Sequence, residues 1–338
     1  SFINLRAFMT ERYNTLEHWL SDSLGSSAFN IELASEDASF RTYYRLFLKN
    51  KTFIVMDAPP EKENSKSFVK ITKKLLACHI NVPIIHNVDL EKGFLLLSDF
   101  GDNLYLDAVN NSSIYDLYSD AINALVTMQL SSNVAGLNNY SSSLFKSEMD
   151  LFVEWLVEKH LNIKLNEEHI SSLDKLFNLL VNNALEQPKV FVHRDFHSRN
   201  LMVTNENNPG ILDYQDAVYG PVTYDLVSLL KDCYIKLPQR EIDRLIDFYL
   251  ARRVEEKSEF KINRDEFTKW FDLMGVQRHL KASGIFARLS NRDGKHKFLD
   301  DIPRTLSYIV ELKEKYQDLQ PVGNLIEKLI LPKMREGR

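Results

Sequence analysis

Cysteine is nearly absent from the chain: two residues in 338, Cys78 and Cys233, each inside an apolar helical pattern. That excludes a disulfide framework and predicts two free, buried thiols. Glycine (11) and proline (10) are also sparse, and there is no internal repeat, heptad run or low-complexity segment, which excludes fibrous and repeat architectures. No uninterrupted apolar run approaches a membrane span; Gly93 to Leu97 is typical of the strand-sized runs present. Residues 1–12 alternate charged and apolar side chains without a signal-peptide core. These absences predict a cytoplasmic protein that does not enter a membrane. Positive charge is not in excess either. The formal net charge of −5 argues against general binding to nucleic acid or anionic lipid.

What remains is ordinary globular composition, 44% hydrophobic and 26% charged, in a chain long enough to bury two cores. Residues 2 to 24 carry an amphipathic helical pattern (Phe2, Leu5, Phe8 or Met9, Leu16, Trp19, Leu20). Segments 31–33, 40–48 and 52–57 then read as strands, the last two joined by a turn at Asn50-Lys51. A helix is expected over Ser65 to Cys78, with Phe68, Ile71, Leu75 and Leu76 on one face, and two further strands at Val82 to Ile85 and Gly93 to Leu97. Ser98 to Asn103, S-D-F-G-D-N, is the best linker. Beyond it, helical patterns cover Ile114 to Leu130, Ser147 to Leu161 (Ser147 and Asp150 placed as a capping box), Ile170 to Leu185, Thr223 to Leu237, Arg240 to Ala251, Arg264 to Leu289, Pro303 to Tyr316 and Val322 to Lys333. The expectation is an α+β chain in two lobes. Residues 1–98 form a small mixed sheet with a helix, residues 99–338 a larger helical lobe, and a ligand site lies in the cleft between them.

The main interruption of the helical part is V-F-V-H-R-D-F-H-S-R-N-L-M-V-T-N-E-N-N-P-G-I-L-D-Y-Q-D, residues 190 to 216. An apolar strand delivers His193-Arg194-Asp195. Two short strands, Leu201 to Val203 and Ile211-Leu212, flank an Asn- and Pro-Gly-rich turn, a hairpin pattern that sets Asn200 and Asp213 at neighbouring strand ends. Few, hard oxygen ligands suit Mg²⁺, which completes its shell with water and phosphate oxygens. An H-R-D-x-x-x-x-N loop followed by a metal-binding Asp is the arrangement phosphoryl transfer needs. A surface hairpin with locally bonded Asp and Asn is the plainer alternative.

With those residues in view, the chain resembles the aminoglycoside phosphotransferase and choline kinase family over nearly its whole length. Within that family it is most similar to the kinases of N-acetylmuramate and N-acetylglucosamine. The resemblance rests on D-A-S-F-R-T-Y-Y-R-L (37–46), V-M-D-A-P-P-E (55–61), G-F-L-L-L-S-D-F-G (93–101), the 192–202 loop, P-G-I-L-D-Y-Q-D-A-V-Y-G-P-V-T-Y-D-L-V-S-L-L-K-D-C-Y (209–234) and Q-R-H-L-K-A-S-G-I-F-A-R-L (277–289). It implies a bilobal protein-kinase-like fold, ATP and Mg²⁺ as cofactors, a sugar acceptor phosphorylated at its anomeric hydroxyl, and a monomer without nucleic-acid or membrane partners.

Roles follow residue by residue. Asp195 is the expected base for the acceptor hydroxyl, and Asn200 and Asp213 the metal ligands. His193 braces the loop; the His193/His197 pair has zinc-like spacing but no third soft ligand. His197 stands where protein kinases place a Lys toward the phosphate. The resemblance sets Asp225 against the catalytic loop. On the acceptor side the candidates are Arg199, Gln215, Asp216 and Tyr219. Arg278, His279, Lys281 and Arg288 read mostly as solvated or helix-end charges, with Arg288 or Lys231 the cation for a carboxylate-bearing acceptor. On the nucleotide side there is no G-x-G-x-x-G; the corresponding turn is residues 36–41, where Ser39, Phe40 and Arg41 are candidates, and Leu97 with Asp99 would carry the base. The strand expected to supply a phosphate-binding Lys reads Phe53-Ile54-Val55-Met56-Asp57. Arg41, Arg45 or a Lys from 62–74 must substitute, unless the protein is a nucleotide-binding pseudokinase. An aminoglycoside, choline or another small alcohol is the alternative acceptor.

Overall fold

The computed structural model describes residues 2–36, 39–256 and 261–336, without the side chains of residues 2–10 and 36. The Asp37-Ala38 part of the expected phosphate turn and the Phe2, Leu5, Phe8 and Met9 positions of the first helix's face therefore lie outside the described residues.

Helix α1 (Phe2–Leu24) precedes five strands: β1 (Asn30–Glu36), β2 (Thr42–Leu48), β3 (Lys51–Asp57), β4 (Ile85–Asp89) and β5 (Phe94–Ser98), with α2 (Ser65–Ala77) between β3 and β4. They form one antiparallel sheet in the order β1-β2-β3-β5-β4. Strand side chains alternate between faces. Val55, Leu46, Leu96 and Phe94 therefore pack on Leu16 and Leu20 of α1, while Met56, Leu95 and Leu97 meet Phe68, Ile71 and Leu75 of α2. The β2–β3 turn falls at Lys49-Asn50, one residue earlier than the Asn50-Lys51 pair, with Lys49 at φ 54. Strand β4 starts at Ile85 rather than Val82; Pro83 has no N–H to donate to a ladder.

After the crossover come α3 (Tyr105–Ala108), α4 (Ile114–Ser131) and α5 (Ser142–Leu151), which runs on as a π-helical stretch over Phe152–His160. Helix α5 begins five residues before the expected start. Ser141 is its N-cap, accepting the Leu144 N–H at 3.2 Å, and the Ser147 hydroxyl instead bonds back to the Leu144 carbonyl. Then follow α6 (Glu167–Glu186), β6 (Lys189–Val192), β7 (Leu201–Met202), β8 (Gly210–Ile211), β9 (Val218–Pro221), α7 (Tyr224–Leu230), α8 (Gln239–Glu255), α9 (Arg264–Asp293), α10 (Ile302–Leu312), α11 (Gln320–Leu325) and α12 (Leu331–Glu336). No helix among the described residues is long and apolar enough to cross a membrane. Helix α9 is the axle of this lobe, buried from Trp270 to Ser290 on nearly every side. It crosses the α5 end at Gly284, where a Cβ would sit 2.3 to 2.6 Å from the backbone of Leu151 and Phe152. One apolar core runs from the α2 face of the sheet through α4, β6 and α7 to the start of α9.

Candidate active site

Strand β6 pairs with β9 (Val190↔Gly220) and ends at Val192, so the next residues emerge at the edge of the core. Arg194 is left-handed at φ 83, a conformation that costs a non-glycine residue about 1–3 kcal/mol unless its surroundings impose it. Asp225, in the first turn of α7, imposes it: its two carboxylate oxygens accept the N–H groups of His193 (2.7 Å) and Arg194 (3.0 Å). Burial pushes the Asp225 carboxyl up to about 7, against those two donors and Arg278, which favour its ionised form. His193 donates its Nε2–H to the Leu212 carbonyl (2.8 Å) and accepts the Asp195 N–H on Nδ1 (3.1 Å). Both nitrogens are committed to the neutral ring, and burial lowers its pKa to about 4. His193 is a brace, and zinc binding by the His pair is ruled out by that commitment. Asp232, almost fully buried, takes the Ser198 N–H (3.0 Å) and hydroxyl (2.6 Å) and closes the loop from below.

Asp195 is left with a half-buried carboxylate that accepts no hydrogen bond among the described residues. Burial alone would raise its pKa, but nearby positive charge, that of Lys281 first and of Arg278 as well, outweighs it and holds the group below the ordinary carboxylate range. An ionised oxygen acceptor without a partner is what a hydroxyl donor requires.

The β7–β8 hairpin forms as expected, Leu201 opposite Ile211, and the Leu212 N–H bonds the Asn200 carbonyl at 2.9 Å. Asn200 and Asp213 are thereby brought together. Asn200 Nδ2 donates to the Asp195 carbonyl (2.9 Å) and to Asp213 Oδ2 (3.3 Å). That orientation leaves its Oδ1 facing no donor. Gln215 Nε2 holds Asp213 Oδ1 at 2.5 Å, and the Gln215 Oε1 is buried without a hydrogen-bond partner. No group of three His, Cys, Asp or Glu able to hold a metal occurs among the described residues. One carboxylate and amide oxygens are instead a hard, sparse donor set that fits Mg²⁺ shared with phosphates. Helix α2 pins this loop: Phe68 stacks on Tyr214 (5.2 Å), the Thr72 and Tyr214 hydroxyls are 2.8 Å apart, and Ser67 Oγ donates to the Gln215 carbonyl (2.8 Å).

On the nucleotide side, Asp57 points to α1, where Arg12 holds its carboxylate at 2.5 and 2.9 Å, and Met56 lies in the core. Of the candidate substitutes, Arg45 is taken up by Asp99 (2.7 and 3.1 Å), Asp102 (2.5 Å) and the Gly101 carbonyl (3.2 Å). Lys70 and Lys74 bond carbonyls of residues 133–136, and Lys62 lies over the exposed Phe40 ring. Arg41 differs. It is buried, pairs with Glu63 at 3.0 Å and keeps an Nε without a hydrogen-bond partner. Burial opposes its charge, but Tyr43, Glu63, Asp213 and Asp216 sustain it. Glu63 also accepts the Phe40 N–H at 3.0 Å, and Ser39 Oγ the Arg41 N–H at 3.3 Å, which shapes the turn. Asp99 braces the crossover rather than offering itself to a base, and Leu97 is core.

The acceptor-side candidates disperse. Gln215 serves Asp213, exposed Asp216 faces Arg41, and Arg199 is sandwiched between Tyr234 (4.8 Å) and Phe298 (5.4 Å). Tyr219 lies on β9 opposite Phe191, with Lys189 Nζ 6.0 Å from its ring. His197 packs edge-on to Tyr234 at 5.2 Å with its Nδ1 unbonded, and burial lowers its pKa. Arg288 sits ten residues along α9 from Arg278, among Glu154, Arg292 and Asp293, and Lys231 bonds Gln239 at 3.1 Å. What does surround Asp195 is a buried polar cluster. Glu148 of α5 accepts from Arg194 (2.7 Å), Lys281 (2.8 Å) and the Tyr140 hydroxyl (2.5 Å), and Lys281 also donates to the Tyr224 hydroxyl (3.0 Å). Glu148, Asp232 and Lys281 were not expected at the site. Their own stretches, such as S-S-L-F-K-S-E-M-D-L around Glu148 and Q-R-H-L-K-A-S-G around Lys281, are too polar to mark them.

A model of the phosphotransferase enzyme family matches residues 30–260. An N-acetylmuramate/N-acetylglucosamine kinase of Pseudomonas putida is 40% identical over 328 residues, spanning 94% of this chain and 96% of that one. Another of the same name, from Neisseria meningitidis serogroup B, is 38% identical over 325 residues (95% and 96%). Among solved structures, the ADP-bound aminoglycoside phosphotransferase APH(2'')-Ib superposes with a TM-score of 0.57 at 14% identity, covering 87% of this chain and 97% of that one.

Proposed function

The chain belongs to the phosphotransferase enzyme family, and we propose that it moves the terminal phosphoryl group of ATP to the anomeric hydroxyl of N-acetylmuramate and N-acetylglucosamine. It is a small-molecule kinase whose product in this reading is the sugar 1-phosphate. The observation that carries the proposal is Asp195: an ionised carboxylate with no hydrogen bond of its own, beside the oxygen pair of Asn200 and Asp213.

Asp195 orients the acceptor hydroxyl and takes its proton as the new O–P bond forms and the bond to the ADP oxygen breaks. His193, Asp225 and Asp232 act through position, keeping the loop in the one shape that leaves Asp195 open. Asn200 and Asp213 would hold Mg²⁺, which would supply positive charge to offset that of the phosphates. Arg41 supplies the cation that β3 lacks, with Glu63 steadying it as a carboxylate steadies the strand Lys of protein kinases. ATP as donor and two free cysteines fit a cytoplasmic site of action.

The test is Asp195→Asn, incubated with ATP, Mg²⁺ and each amino sugar and scored for sugar 1-phosphate. Turnover should fall by about 10²–10⁴ in a protein that still folds. Near-normal turnover would refute the assignment.

A further inference from the structure

Helix α9 supplies two of the cations that hold the Asp195 carboxylate ionised. Lys281 and Arg278 both lie within electrostatic reach of its carboxylate. Lys281 shares Glu148 with Arg194, so one carboxylate serves two cations. Arg278 has no such partner. Its guanidinium lies 5.0 Å over the Tyr224 ring, its Nε makes no hydrogen bond, and no carboxylate oxygen lies within 4.0 Å of it among the described residues, although only 6% of the side chain is exposed. Tyr224 is the common wall: the same ring is flanked by Lys281, which reaches its hydroxyl at 3.0 Å. A buried cation without an ion pair is costly, and a planar fork of donors matches a carboxylate in two parallel bonds.

We propose that Arg278, with Lys281 beside it, forms an anion subsite of the acceptor pocket and receives the carboxylate of an acidic amino sugar. The inference rests on the amino-sugar reading above and adds a direction to it. Between N-acetylmuramate, which carries a lactyl carboxylate, and the neutral N-acetylglucosamine, the acid is preferred. Polycationic or quaternary-ammonium acceptors are repelled by the same charges.

The charge can be removed from either partner. With wild-type protein, the KM for N-acetylmuramate methyl ester should exceed that for the free acid by about 10- to 100-fold, the worth of a charge-assisted hydrogen-bond pair. In Arg278→Gln, the ratio of kcat/KM for the acid over the neutral sugar should fall by a similar factor, and Arg278→Lys should restore part of it. Equal KM for acid and ester on an enzyme active with both would overturn the subsite and leave the amino-sugar reading standing. So would an Arg278→Gln protein that loses both sugars in equal proportion, the mark of a merely structural residue. Should Arg278→Gln not fold, the ester comparison decides alone. Wild-type protein that phosphorylates neither sugar removes the amino-sugar reading itself, and the inference with it.

Discussion

Replacing Glu148 by Gln tests whether the cluster under the active site is held by charge or only by shape. The carboxylate has three partners: Arg194 at 2.7 Å, Lys281 at 2.8 Å and the Tyr140 hydroxyl at 2.5 Å. Its side chain is 8% exposed, and that of Lys281 10%, so water cannot take its place. Glutamine keeps the volume and one acceptor but removes the charge, taking the paired carboxylate from buried Lys281 and from half-buried Arg194. Breaking a buried pair from one side costs about 3–5 kcal/mol, against less than about 1 for an exposed one. A loss of that size lowers the urea midpoint by about 1 to 2 M. The double variant Glu148→Gln/Lys281→Met removes one stranded cation, so it should be more stable than the sum of the two single changes by at least about 1 kcal/mol. Urea titration followed by tryptophan fluorescence measures both quantities. A loss under about 1 kcal/mol for Glu148→Gln, or strict additivity in the cycle, would refute the electrostatic account.

Other outcomes are open to direct measurement. Arg41→Met should raise the KM for ATP by about 10- to 100-fold and change the acceptor KM far less; an unaltered ATP KM would remove Arg41 from the phosphate site. Gly284→Ala inserts a Cβ within 2.6 Å of the backbone of Leu151 and Phe152, and should cost about 1–3 kcal/mol of stability; thermal unfolding at wild-type temperature would show that the helices can part. His193 and His279 are held neutral by burial, with pKa values of about 4 and about 3. An unfolded His titrates near 6.5, so their contribution is complete above that pH and is lost as pH falls from about 6.5 toward 4. The raised Asp225 carboxyl works in the opposite sense between about 4 and 7. His279→Gln should flatten the acid limb of the stability profile, and a limb of unchanged steepness would contradict this.

The residues that were legible in the sequence are those whose meaning is local. The 190–216 segment announces its turns, its strand ends and its oxygen-bearing side chains within one hairpin, and that hairpin forms and brings Asn200 to Asp213. The five-stranded sheet and its helix follow from alternation and 3–4 spacing. Contacts set by distant packing were not legible. Strand β9 is four residues long and follows a turn, so it carries no periodic signal of its own until β6 lies beside it. Arg278 and Lys281 read as solvated charge because a charged residue in a helix is solvated in most proteins. Here α9 threads the centre of its lobe, and even its charged positions face inward. Glu148 was hidden for the same reason, from the other side of that crossing. Arg41 was one of several possible cations; Arg45, Lys70 and Lys74 are committed to other partners, and Arg41 stands out as a buried one with an unbonded Nε.

The grip of α2 on the 213–216 loop bears on how such an enzyme is controlled. Three side chains of one helix clasp Tyr214 and the Gln215 backbone, and the same helix is moored through Lys70 and Lys74 to residues 133–136. An outward swing of this helix would break all of these contacts, and displacing a helix is how many kinases are switched off. A regulator acting through α2 would first have to break those contacts.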